Sequence, residues 1–158
     1  MKKELEILKW EETINAPVDK VWRTMLDLET YKIWAGEFGP GSYYQKDNEG
    51  EFVAGENVKF LGVDENGQGG GMISKVNEVR KDEFISFHHL GYIMNGVEDT
   101  ESEKVKSWAP SYENYTFEKV DDNTTLLKVE MQSDPEYTEM FKGLWPKAIA
   151  KLKEICEQ

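Results

Sequence analysis

His88 and His89 are the only histidines of the 158-residue chain, and they are adjacent. Neighbours on a strand point to opposite faces, so this pair cannot grip one metal ion together. No HExxH, CxxC or second histidine pair accompanies them; neither a metal nor a cofactor is expected. The run Phe84 to Met94 alternates so that His88 shares a side with Leu90 and Tyr92. There it would be a polar group inside an apolar site, or a hydrogen-bonded histidine of the core or surface. Ser42, in Gly39-Pro40-Gly41-Ser42-Tyr43, does not fit the elbow of a serine hydrolase. Gly69-Gly70-Gly71 lacks both the Gly-Lys-Ser/Thr ending and the following helix of a phosphate cradle, and reads as a hairpin or bulge. Nearly all carboxylates fall at outward strand positions or in loops. Cys156 lies on the apolar side of the terminal helix, as a small buried hydrophobe would. No catalytic residue emerges from this survey.

The remaining chemistry is that of binding. The chain holds 5 Trp, 7 Tyr, 7 Phe and 6 Met. On the inferred concave side stand Trp34, Phe38, Phe60, Met72, Tyr92, Trp108, Tyr115, Phe117, Met131, Phe141 and Trp145. They either fill a collapsed core or line a cavity for a small apolar molecule. In the second case His88, Tyr92 and Tyr115 supply the few orienting polar groups such a pocket needs.

The elements that must position these residues are legible from periodicity. Met140, Phe141, Leu144, Trp145, Ala148, Ile149, Leu152, Ile155 and Cys156 recur at steps of three and four. They form the apolar stripe of one long helix over Pro135–Glu157. Asp134 is its N-cap and Pro135 its first residue; Pro146 predicts a kink or break near Gly143–Pro146. Roughly 34 Å long at 1.5 Å per residue, this helix needs a large apolar partner. Leu5–Ala16 reads as a first strand. Two short helices follow, one with Val21, Trp22, Met25 and Leu26 inward, the other over Leu28–Trp34 with Tyr31, Ile33, Trp34 and Phe38 inward. Strands are then expected over Ser42–Lys46, Asn57–Asp64, Gly71–Val79, Phe84–Met94, Tyr112–Val120 and Thr124–Ser133. Asn66-Gly67 has the chemistry of a hairpin turn. Gly96–Ser107, with Glu98, Asp99, Glu101 and Glu103, reads as a mobile loop. This order predicts an α+β fold, with one curved antiparallel sheet of about six to seven strands wrapped around the terminal helix.

Length predicts a single domain over residues 1–158. With 31 acidic and 19 basic residues the net charge is −12, which repels nucleic acid and anionic lipid. No apolar run is long enough to span a membrane. Met1-Lys2-Lys3 leads into the mixed run Glu4–Glu12, so no secretory leader is expected. One cysteine permits no internal disulfide, in keeping with a reducing, cytoplasmic setting.

Several stretches carry a family resemblance: INAPVDKVWRTMLDLETYKIWAG (Ile14–Gly36), GENVKF, FISFHH, SWAPSYENYTFE, NTTLLKVEM and FKGLWPKAIAKLKEI. With the element order, they resemble the START-like, birch-allergen-like superfamily. Within it they are most similar to the SRPBCC group related to heat-shock-protein ATPase activator homologues (AHSA-type). The resemblance spans nearly the whole chain and implies the helix-grip fold, with a hydrophobic cavity between sheet and terminal helix. Members bind lipids, hormones or polyketides, and a minority catalyse cyclisation or hydrolysis; fold alone does not choose among these. The leading expectation is therefore a non-enzymatic binding protein for a small hydrophobic or aromatic ligand. The alternatives are a cyclase or hydrolase using His88, and a co-chaperone-like interaction domain with a chaperone partner. Exposed strand edges leave a homodimer open.

Overall fold

The computed structural model describes residues 4–63 and 69–158; the Asn66-Gly67 turn lies outside them. Strand β1 spans Glu6–Ile14. Its alternation buries Leu8 and Ile14 while Ile7 is left 56% exposed, as a strand with one wet face requires. Pro17 precedes helix α1, Val18–Leu26, which buries Val21, Trp22, Met25 and Leu26. After the single residue Asp27 comes α2, Leu28–Trp34, which runs into a 3₁₀ turn over Ala35–Phe38. Trp34 locks these helices together, and Tyr44, from the strand that follows, ties α1 to the sheet. The Trp34 indole donates to the Met25 carbonyl at 3.1 Å, and the Tyr44 hydroxyl donates to the Leu26 carbonyl at 2.7 Å. The short α2 turns Trp34 and Tyr31 inward but leaves Ile33 51% exposed, contrary to expectation. Two apolar residues three apart saturate the inner face of so short a helix.

The remaining strands are β2 (Tyr43–Lys46), β3 (Asn57–Val63), β4 (Gly69–Arg80), β5 (Phe84–Met94), β6 (Val97–Asp99), β7 (Ser111–Asp121) and β8 (Thr124–Ser133). They form one eight-stranded sheet in the order β1-β8-β7-β5-β4-β3-β2, with β6 pairing β5. Every pairing is antiparallel. The stretch expected to be a mobile loop instead holds β6 and the single helical turn α3, Glu103–Lys106. Asp99 accepts the backbone N–H groups of Glu101 and Ser102, Ser102 caps α3, and Val105 is fully buried. Elements of three and four residues are too short for periodicity to reveal among so many charges. Two glycines admit close backbone approach. A Cβ on Gly91 would lie 2.3 Å from the Asp99 carbonyl oxygen, and one on Gly71 (φ +154°) 1.9 Å from that of Phe60.

Asp134 accepts the Glu136 N–H and opens a 3₁₀ turn, Pro135–Tyr137, that leads into α4, Thr138–Cys156. Of the kink or break expected near Gly143–Pro146, the break does not occur: the helix is continuous through Pro146. Proline still deprives the Lys142 carbonyl of its helical donor, and both residues are exposed, so the missing bond falls on the solvent side of the helix rather than in the core. The sheet curls around α4. Lys153 ties the helix to β1, donating to Glu12 Oε1 at 2.9 Å and to the Thr13 carbonyl at 2.8 Å. The link between β2 and β3 is pinned by a buried ion pair, Lys46 with Glu56 at 3.5 Å. Glu56 also accepts the N–H groups of Asn48 and Val53.

Candidate functional site

Between the sheet, α2 and the first turns of α4 lies a cavity of about 550 Å³. Its wall includes ten of the twelve side chains singled out from sequence. Trp34 and Phe38 come from α2 and the turn after it, and Phe60 and Met72 from β3 and β4. Tyr92 and Trp108 come from β5 and the segment after α3, Tyr115 and Met131 from β7 and β8, and Phe141 and Trp145 from α4. Trp34, Tyr115, Met131 and Trp145 are all buried and form the floor; Val63, Tyr137 and Met140 are exposed and form the rim. Trp145 is the hub of the floor. Its ring centroid lies 5.7 Å from Trp10, 6.0 Å from Trp34, 5.0 Å from Phe38 and 5.9 Å from Tyr115, all within the range of favourable aromatic contact.

His88 and Phe117 are not brought to the cavity. Phe117 is buried under α1, edge-on to Trp22 at 5.0 Å. His88 pairs with Lys75 and Tyr112 across the sheet and takes the opposite face. The cause is a β-bulge. Ile73 pairs with Gly91 but Ser74 with His89, so Leu90 is an extra residue on β5. The insertion shifts the alternation by one. Both His89 and Tyr92 therefore line the cavity, and the strict period that grouped His88 with Tyr92 does not hold.

His89 is the centre of a buried polar chain. Its Nδ1 lies 2.6 Å from the Ser74 hydroxyl and its Nε2 3.1 Å from Glu113 Oε1. The Tyr115 hydroxyl donates to Glu113 Oε2. With Nε2–H donating to the carboxylate, Nδ1 is placed to meet the Ser74 hydroxyl, so both ring nitrogens are engaged. Ser74 is buried behind His89 and does not line the cavity, so it orients the ring and is no nucleophile for anything inside. Burial, followed by the nearby Glu113 charge, pushes the Tyr115 and Tyr31 hydroxyls far above the usual phenol range. Burial likewise raises Tyr44 to about 12. Glu113, His89 and Tyr31 were not among the residues singled out from sequence. The signal for Glu113 was present: it shares the parity of Tyr115 and Phe117 on β7.

Among the described residues no group of three or more His, Cys, Asp or Glu converges as a metal site. None of their helices is long and apolar enough to cross a membrane.

A curved antiparallel sheet closed over a long C-terminal helix, with an aromatic-lined chamber between them, defines a helix-grip protein of the START-like class. The family model "Activator of Hsp90 ATPase homolog 1-like protein" matches residues 15–157, and the chain belongs to that family. No curated protein matches it significantly. Similar solved structures include the Aha1 dimer from Colwellia psychrerythraea, at 16% identity and a TM-score of 0.67 over 96% of each chain. Protein NE0264 from Nitrosomonas europaea is 15% identical with a TM-score of 0.66, over 98% of this chain and 95% of that one. The di-domain ARO/CYC StfQ of the steffimycin biosynthetic pathway is 15% identical with a TM-score of 0.62, over 95% of this chain and 44% of that one. At these identities the likeness concerns the fold.

Proposed function

We propose that the chain is a binding protein for a small hydrophobic or aromatic ligand held between the sheet and α4. The observation that carries this reading is the 550 Å³ chamber itself. Its size falls within the roughly 300–1,000 Å³ of ordinary ligand sites, and its wall is largely aromatic and apolar, with the Glu113–His89–Tyr115 cluster and further polar side chains, among them Ser111, Gln132 and Asp134. A ligand that fills it removes apolar surface of both partners from water. The reading takes residues 1–158 as one unit acting in the cytoplasm, in keeping with a lone buried Cys156. Titration with naphthalene, 2-naphthol and decanol, read by melting temperature and by tryptophan fluorescence, is the test. Ligand at about 100 times Kd adds ~2.7 kcal/mol of stability, a rise of roughly 5–10 °C for a chain of this size. Flat melting curves and unchanged fluorescence with all three would refute the reading.

The cyclase or hydrolase reading that used His88 falls, because His88 takes the face away from the cavity; an enzyme of that type is supported instead by the Glu113 carboxylate facing the chamber between His89 and Tyr115. Such a group is placed to take a proton from a bound molecule. Recovery of bound ligand unchanged after long incubation with stoichiometric protein would count against it. The family match supports a co-chaperone-like reading; purified Hsp90 whose ATP hydrolysis does not respond to the chain would remove it. The dimeric Colwellia relative supports a homodimer, which sedimentation velocity tests.

A further inference from the structure

Building on that cavity reading, we propose that the chamber selects an apolar molecule bearing one hydrogen-bond donor, a hydroxyl or amine, and rejects carboxylates. The selecting atoms are the carboxylate oxygens of Glu113. This side chain lines the cavity and is 17% exposed. Its hydrogen-bond partners are His89 at Oε1 and Tyr115 at Oε2. A carboxylate offers about four acceptor positions, so two are filled and two remain for a guest. The group is also fixed in place: Ser74 holds His89, His89 and Tyr115 hold Glu113, and the tyrosine is itself buried against Trp145. Preset direction is what lets one polar group discriminate in an apolar site.

A guest with no donor strips water from this carboxylate and replaces it with nothing. The penalty corresponds to roughly 10- to 100-fold in affinity. A guest carrying its own carboxylate sets a second negative charge in the same apolar space, which is worse. The cation that lines the cavity, Lys104, is exposed. An acid held there would bind at the rim and leave the floor unfilled.

The experiment is calorimetric titration of the full chain with a size-matched set: naphthalene, 2-naphthol and 2-naphthoate. The expected order is 2-naphthol tightest, naphthalene weaker by about 10- to 100-fold, and 2-naphthoate weakest. In Glu113→Gln the advantage of 2-naphthol shrinks and 2-naphthoate gains at least about tenfold as the like charge disappears. Equal affinity for naphthalene and 2-naphthol overturns the inference and leaves the binding reading standing; so does 2-naphthoate binding tightest. Failure of all three to bind refutes the binding reading and the inference with it. The wild-type series decides the matter even if Glu113→Gln does not fold.

Discussion

The two halves of α4 have the same apolar spacing and opposite surroundings. From Ala148 to Cys156 its inner side chains are buried against α1 and β1 in a core with no room left. Ala148, Leu152, Val21, Met25 and Ile14 are sealed from solvent there. From Thr138 to Leu144 the same stripe borders the chamber, with Met140 exposed and Phe141 half-buried. Trp145 is the wall between these regimes. The difference shows that a helical stripe states only which face is apolar. Whether that face is filled or hollow depends on what stands opposite. At the C-terminal end stand Ile14 of β1 and Val21 and Met25 of α1, all sealed from solvent. At the N-terminal end stands a flaring sheet, its inward side chains braced against one another by ring contacts.

The sharpest way to break this contrast is a matched pair of truncations. Leu152→Ala leaves a void in a core that cannot collapse. It is expected to cost ~2–5 kcal/mol, or roughly 4–20 °C in melting temperature, with no change in ligand affinity. Similar losses from Leu152→Ala and a cavity-side truncation would erase the distinction.

A second, smaller effect comes from alkali and concerns the cavity side. Burial holds the Tyr44 hydroxyl at about 12 and those of Tyr31 and Tyr115 higher, against an ordinary value of 10.0. Because the folded values are raised, the folded state is favoured while these phenols keep their protons. That stability is complete below about pH 10, where the unfolded chain also keeps its protons. It falls as pH rises through 10 towards 12, because the unfolded tyrosines ionise first. Melting temperatures at pH 9 and pH 11 test this, with Tyr115→Phe expected to flatten the slope. An unchanged melting temperature across that interval would mean that these hydroxyls reach water.

The smallest effect on stability, and the one that sharpens the contrast most, is Phe141→Ala. Its ring borders open space, so the loss is expected to stay under ~1.5 kcal/mol, while affinity for a cavity ligand falls several-fold. Differential calorimetry and titration on one preparation check both numbers.

Much of the fold was legible because it is written in long periods. The helical stripe of α4, the alternation of β7 and β8 and the two short helices could all be read from residue spacing. What stayed hidden is what a single residue decides. Leu90 shifts the alternation of β5 and exchanges His88 for His89, yet nothing in Phe-His-His-Leu-Gly marks it as an insertion. Glu113 faces inward with Tyr115 on β7 and meets His89 of β5 and the Tyr115 hydroxyl there, while Ser74 of β4 holds His89 from behind, a fact of register. Val105 anchors a helical turn too brief to leave a periodic trace. The aromatic wall could be read by type, whereas its polar centre could not.

One detail of α4 takes on weight beside the contrast of its two halves. Pro146 leaves the rod one rung short, next to the tryptophan that divides the full end from the hollow one. The far end is moored to the first strand by Lys153. The rod's own ladder is thus thinnest where packed core gives way to chamber, and its leading two turns are joined to the rest by one hydrogen bond fewer than an unbroken helix would have.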